Sequence, residues 1–273
     1  MAALAEVEMT PQQQIELEDS ADMGSGVLNH YLRWARTVDD FKVVMPETRF
    51  RVPIPLLGDG VELVGTADGV IQMPNGDYFL LEHKTAAQMP RQWSNLFFDE
   101  QCMAYLWATQ EDDRFPRGIK GVVYNFLRKK IPTVPRLLKS GLLSTAKNQD
   151  TTPETFIAEA EAQGHPLSIY EDYIRLLRAK ENTFFVRATV PHQLMELYTW
   201  FNHFQATVLE MLDENTVLYP SPGPLGWQCA SCPFKVPCEF LNTGVPKEQL
   251  DFVLSTDFQS RSYDAIPEGP DTE

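Results

Sequence analysis

Residues 61–85 read VELVGTADGVIQM, then PNG, then DYFLLEHKT, and the reading of this stretch decides the fold. The two flanking runs have the apolar and β-branched make-up of strands, and Pro74-Asn75-Gly76 suits a three-residue hairpin loop. Such a loop pairs Met73 with Asp77, and counting back along both strands sets Asp68 opposite Glu82. Directly opposed residues have Cβ atoms about 5 Å apart on one face. Lys84 joins them there, because strand side chains alternate with period two. A two-residue loop would oppose Asp68 to His83 instead and scatter the group. Like charges placed opposite each other are destabilising, so two carboxylates and an ammonium on one apolar sheet face need a reason. One is a structural ion pair of Lys84 with Asp68 or Glu82. The other is a divalent cation, which would neutralise both carboxylates and bind substrate phosphate, with Lys84 assisting the attacking water.

Outward from the hairpin, the sequence alternates strands and helices. Residues 21–37 predict a helix whose apolar face holds Val27, Leu28, Tyr31, Leu32 and Trp34. FKVVM and TRFRVPI predict strands before the hairpin; after it come a helix over 95–110 and a strand in IKGVVYNFLRKK. An insertion at about 140–180 carries the short helix PETFIAEAEAQG. FFVRATV is a further strand, and PHQLMELYTWFNHFQATVLEML a long helix with Pro191 near its first turn. A Pro/Gly loop, YPSPGPLG, then leads to three cysteines. Residues 1–20 are expected to be a flexible acidic N-terminus, and 246–273 an acidic, largely disordered tail. The pattern is that of one α/β domain over 21–245 with appendages.

At 273 residues, 43% hydrophobic and 22% charged, the chain has the composition of a globular domain. No apolar run is long enough to span a membrane, and the first residues lack a signal peptide's basic end and apolar stretch. A cytoplasmic location is therefore expected. The net charge is −15, yet residues 114–149 hold nine basic side chains and no acid. A basic middle between acidic ends points to a local polyanion-binding surface or to a solvated basic loop. There is no H-E-x-x-H, no phosphate-binding G-x-x-x-x-G-K-[ST] and no G-x-S-x-G, so metalloprotease, ATPase and α/β-hydrolase readings lack support.

Cys229-x2-Cys232-x5-Cys238 has the spacing of soft-metal ligands, for zinc or an iron–sulfur cluster. Cys102 is the only other cysteine; it is either a fourth ligand or a small buried thiol.

G-T-A-D followed after the hairpin by L-E-H-K-T-A resembles the signature of the PD-(D/E)xK nuclease superfamily, in its RecB-like branch. Gln101-Cys-Met-Ala-Tyr105 matches that branch's Q-x-x-x-Y helix motif. With VVYNFLRKK and the cysteine triplet, the chain resembles phage-encoded exonucleases related to the CRISPR-associated RecB-like family, over about residues 20–245. The resemblance implies a restriction-endonuclease-like core, a mixed central sheet flanked by helices, with a C-terminal cysteine-cluster segment. It implies a metal-dependent DNA exonuclease of recombination or end processing, in the host cytoplasm if phage-encoded. Asp68 and Glu82 would hold Mg²⁺ or Mn²⁺, Lys84 would assist the attacking water, and Gln101 and Tyr105 would position the phosphate backbone. Arg128, Lys129 and Lys130 would bind DNA. Cys229, Cys232 and Cys238 would hold a [4Fe–4S] cluster whose fourth ligand is not identified, with Zn²⁺ as the alternative.

Two features depart from the family pattern. No cysteine precedes Cys102. Gly26-Val-Leu-Asn-His30 has the letters of the family's G-x-x-x-H metal-ligand helix, but without the longer section that normally surrounds it. His30 is therefore either a further ligand or an exposed helix histidine. If it is not a ligand, the chain reads as a catalytically impaired DNA-binding or scaffold module; a zinc-knuckle interaction protein is a third reading. An oligomer or a partner recombination protein would be compatible with the resemblance.

Overall fold

The strands lie side by side in the order they occupy in the chain. β1 (Lys42–Pro53), β2 (Glu62–Gln72) and β3 (Tyr78–Ala86) are antiparallel neighbours. β4 (Ile119–Arg128) runs parallel to β3, and β5 (Phe185–Pro191) antiparallel to β4. In this computed structural model, residues 10–55, 57, 60–90, 93–216, 227–230 and 232–259 are described. Among them the five strands form one mixed sheet flanked by helices, the restriction-endonuclease-like α/β core that the sequence predicts. The parallel step needs a crossover, supplied by a 3₁₀ turn at Trp93–Phe98 and by α2 (Glu100–Glu111). FKVVM and TRFRVPI prove to be one strand, bent by an irregularity between Val43 and Met45.

The hairpin register is the one the three-residue loop demands. Met73 N donates to Asp77 O at 2.8 Å, and Gly76 takes φ 89°, a conformation that favours glycine. Gln72 pairs with Tyr78, and the ladder continues to Gly69 and Leu81. There it stops. β2 keeps β1 as far as Pro53 and Glu62, and β3 keeps β4 as far as Ala86 and Arg128. The sheet forks just where Asp68 faces Glu82.

Burial follows the pleat. Val70, Leu80, Val122, Tyr124 and Phe126 turn to the face covered by α2, where they meet Cys102, Met103, Leu106 and Trp107. Leu127 turns to the opposite face, where Val27, Trp34 and Ala35 of α1 (Pro11–Val38) pack with Phe184 and Phe185. Each such side chain contributes roughly 1.5–3 kcal/mol when fully buried. Residues 121–127 are buried without interruption, so β4 anchors the sheet.

Helix α1 starts ten residues before the predicted 21. Thr10 and Gln13 form a capping box around Pro11, so 11–20 are helical rather than part of a flexible end. Pro191 closes β5 opposite Gly121, and α5 (Leu194–Leu212) begins after it. The insertion is a folded lobe: Phe156 of α3 (Pro153–Ala162), Tyr173, Ile174 and Leu177 of α4 (Glu171–Ala179), Leu143 and Tyr170 form its core.

The chain divides into two compact units, Met1–His203 and Phe204–Glu273. The second holds α6 (Trp227–Ala230), α7 (Lys235–Thr243) and α8 (Lys247–Asp257), with Phe234 stacked on Phe258 at 4.7 Å. α8 occupies part of the stretch expected to be a disordered tail. Residues 1–9, the Pro/Gly loop and 260–273 lie outside the described residues. No described helix is long and apolar enough to cross a membrane.

Candidate active site

The fork fixes the first contact of the site. Where the β2–β3 ladder ends, the Asp68 carboxylate takes the place of a strand carbonyl: its Oδ2 accepts from His83 N at 2.8 Å. Two residues along, Glu82 Oε1 meets Lys84 Nζ at 2.8 Å. Lys84 then reaches the start of α2. Its Nζ donates to Gln101 Oε1 at 2.5 Å and lies 3.8 Å from Asp99 Oδ2. Gln101 Nε2 donates to Tyr105 OH at 2.9 Å. Asp68, Glu82, Lys84, Gln101 and Tyr105 are thus drawn to one side of the sheet, with the glutamine joining the helix motif to the strand lysine. Spacing alone placed Gln101 and Tyr105 on one helix face; the bond to Lys84 is new.

Asp99 is a member that sequence reasoning missed. It caps α2, its Oδ1 accepting from Cys102 N at 3.3 Å, and its second oxygen turns toward Lys84. A capping aspartate immediately before a helix was legible as a signal. Its direction toward the hairpin was not.

Two carboxylates, Glu82 and Asp99, therefore share the Lys84 ammonium, and Asp68 adds a third negative charge near Glu82. Burial raises the Glu82 carboxyl above its ordinary range; the bond and charge of Lys84 lower it, while Asp68 and Asp99 add to the rise. Burial alone would lower the Lys84 pKa, but Glu82 and Asp99 outweigh it and hold the ammonium protonated more firmly than usual. The acidic surplus and the all-oxygen donors fit a hard divalent cation. Among the described residues no three His, Cys, Asp or Glu side chains gather to hold a metal. Asp68 and Glu82 would supply two carboxylates, a number that suits Mg²⁺, which keeps waters and binds phosphate.

The other sheet face braces the site. Asn125, fully buried, has its Nδ2 2.8 Å from His83 Nδ1 and 2.9 Å from Tyr31 OH. Arg187 Nε donates to Asn125 Oδ1 at 3.3 Å, and its guanidinium also pairs with Asp39. His83 therefore faces away from Glu82 and Lys84, as alternation requires, and is hydrogen-bonded there rather than merely packed.

His30 lies on that second face. It is neither exposed nor brought to the carboxylates: it is 8% exposed and its Nδ1 is 2.8 Å from Thr155 Oγ1 of α3. Gly26, one turn earlier, is pressed by Ile131, whose Cδ1 would stand 2.3 Å from an added Cβ. Both letters of the G-x-x-x-H match contact the chain beyond β4.

The basic stretch is not one surface. Arg114, Arg117 and Lys120 pair with Asp112, Asp113 and Asp77 at the start of β4. Arg128 and Lys130 share Asp150 at its other end, at 3.7 and 2.5 Å. A strand of this length separates the two groups by about 30 Å. The second group, with Lys129, adjoins the end of β3 beyond Lys84, since Lys129 N donates to Ala86 O at 2.8 Å.

Among the described residues, Cys229, Cys232 and Cys238 make no disulfide and are not gathered into a metal-holding group, so nothing there adds support to the iron–sulfur expectation. Cys102 is 1% exposed in the sheet core, where burial pushes its thiol up to about 12. It is a small buried thiol within the core of the first unit.

A search among curated proteins finds no match for the chain. A family model of the PD-(D/E)XK nuclease superfamily matches residues 2–239, spanning the forked hairpin, both helix motifs and the first two cysteines of the triplet together with the third. On that match, and on the carboxylates and lysine gathered at the fork, the chain belongs to the PD-(D/E)XK nuclease superfamily, whose members are metal-dependent phosphodiester hydrolases.

Proposed function

We propose that the chain is a DNA exonuclease of the RecB-like branch, related to the phage-encoded and CRISPR-associated enzymes and acting in the cytoplasm in recombination or end processing. The observation that carries this reading is the continuous chain Glu82–Lys84–Gln101–Tyr105 facing Asp68 across the fork. Asp68 and Glu82 would hold Mg²⁺ or Mn²⁺; the cation supplies charge neutralisation at the phosphate and a more acidic water. The Lys84 ammonium, kept protonated by its acidic neighbours, aims a positive charge at the phosphoryl oxygens where negative charge builds up. Gln101 fixes the position of that ammonium through its carbonyl and passes the alignment to Tyr105. The Asp68 bond to His83 N ties the opening of the fork to the main chain between Glu82 and Lys84. Arg128, Lys129 and Lys130 would hold the backbone by counterion release, without reading sequence.

The test is digestion of end-labelled linear and circular DNA with Mn²⁺, comparing the chain with Lys84→Ala. Cleavage of linear DNA alone, reduced at least about a hundredfold by the substitution, supports an exonuclease. Cleavage that survives in Lys84→Ala removes the lysine from the mechanism, and nicking of circles makes the enzyme an endonuclease.

A second reading has one observation in its favour: His30 is engaged with Thr155 and does not complete the carboxylate pair. A folded chain that binds DNA, shows no metal binding dependent on Asp68 and Glu82, and cleaves nothing would be a binding module that keeps the nuclease fold.

A further inference from the structure

The chain leaving β4 makes a small hairpin that the nuclease reading does not use. Leu137 and Leu143 bridge, Leu138 N donates to Leu142 O at 2.8 Å, and Ser144 N donates to Arg136 O at 2.9 Å. One residue holds it in place. Leu143 is 2% exposed in the lobe's core, and its N donates to Tyr170 OH at 2.9 Å. Its neighbours point away from that core: Leu137, Leu138 and Leu142 are 53%, 48% and 45% exposed. Three leucines at one tip form an apolar patch that the folding of the lobe does not require, and such patches mark contact sites.

The base of this excursion is fastened at the site's end of the sheet. Thr133 N donates to Asp150 O at 2.7 Å, and the Asp150 carboxylate holds Arg128 and Lys130. Arg128 pairs with Ala86, two residues beyond Lys84. From Thr133 to the tip at Lys139 the chain extends at most about 20 Å. The tip's charge is of one sign, with Arg136, Lys139 and Lys147 around the leucines and no acid before Asp150. Cations around a wedge of leucine match a ligand with anionic edges and flat apolar faces, which is unpaired or unpairing nucleic acid.

We propose that residues 136–144 are a strand-separating wedge for the DNA substrate. Leu138 and Leu142 stack on the last base pair at a duplex end, Arg136 and Lys139 hold the flanking phosphates, and one strand is released toward the fork. The proposal rests on the nuclease reading and narrows its substrate to junctions of paired and unpaired strand.

The experiment places 2-aminopurine in the terminal pair of a blunt duplex and in a forked duplex, with wild-type protein in Ca²⁺. Brightening of the probe and a preference for the fork of roughly fivefold or more are expected, both lost in Leu138→Ser/Leu142→Ser of unchanged melting temperature. The wild-type signal stands by itself if that variant fails to fold. DNA that is bound, and cleaved in Mn²⁺, with no brightening overturns the wedge and leaves the nuclease reading in place. Neither binding nor cleavage of any DNA overturns the nuclease reading itself. Leucine-dependent binding to phosphatidylserine vesicles, with no brightening of DNA, assigns the tip to a membrane and also overturns the wedge.

Discussion

Two pairs of residues, each four apart on a helix, match the letters of the same nuclease branch, and the fold puts them to opposite uses. On α2, Gln101 and Tyr105 turn toward the hairpin, and Gln101 grips the lysine beside the carboxylates. On α1, Gly26 and His30 turn toward the lobe beyond β4, one accommodating Ile131 and the other bonding Thr155. An i, i+4 spacing guarantees a shared helix face but says nothing about what that face meets. For α2 the partner is fixed locally, because the crossover leads straight out of β3. For α1 it is a segment over a hundred residues later, which no local pattern names.

The sharpest separation comes from Glu82→Gln. Loss of one of the two carboxylates proposed to hold the cation should abolish metal binding by calorimetry and reduce cleavage by roughly a thousandfold or more. The metal-free protein should respond in the other direction. Glu82 binds its proton more tightly folded than unfolded, so its contribution to stability is present below the ordinary glutamate range and is lost as pH rises through the folded value. Without metal, Glu82→Gln should therefore melt higher than wild type at neutral pH, with the gain shrinking on acidification toward pH 4.5. A variant that melts lower at every pH would make Glu82 a structural ion-pair partner of Lys84, and the two helix faces would no longer differ in kind.

His30→Ala probes the other side. Removal of a buried bond to Thr155 should cost about 1–2 kcal/mol of stability, read by urea unfolding, while metal affinity stays within roughly twofold. Burial, aided by the Arg33 charge, lowers the His30 pKa. Folded His30 thus resists protonation, and the stability it adds at neutral pH is lost as pH falls through the ordinary histidine range. His83 and His192 are lowered by burial too, so the acid-side slope should shrink in the variant and not vanish. Metal binding abolished by His30→Ala would break the comparison outright.

These contrasts also mark what the sequence made legible. The hairpin, its loop and the shared face of Asp68, Glu82 and Lys84 follow from turn chemistry and a period of two, both of which act over a few residues. The Thr10-x-x-Gln13 box was equally readable, and only the polarity of the first turns of α1 hid it. The remaining pieces depend on distant partners. Asp99 turns toward Lys84 because the crossover lays α2 on the forked strands. Asp150 gathers Arg128 and Lys130 after an excursion of twenty residues, dividing a basic run that looked continuous on paper. The lobe's core joins Leu143 to Leu177 across two short helices, and α4 was not seen at all, because charged residues fill its outer face.

Gly26→Ala should have the smallest effect, and it tests the comparison most finely. If Gly26 served a ligand site by letting backbone come close, any Cβ would harm metal binding and cleavage. The contact seen is with the far end of Ile131, a side chain 36% exposed and able to swing outward. Displacing that tip opposes a gain of about 1 kcal/mol from replacing glycine inside a helix. The two effects are of similar size, so urea unfolding should place the variant within about 1 kcal/mol of wild type, with cleavage unchanged. The sign then depends on Ile131. Pairing Gly26→Ala with Ile131→Ala removes both crowded atoms, Cδ1 and Cγ1, and should bring out the helix-propensity gain, making the double variant more stable than Ile131→Ala alone. A loss of activity in Gly26→Ala that Ile131→Ala does not relieve would return the α1 motif to the catalytic site.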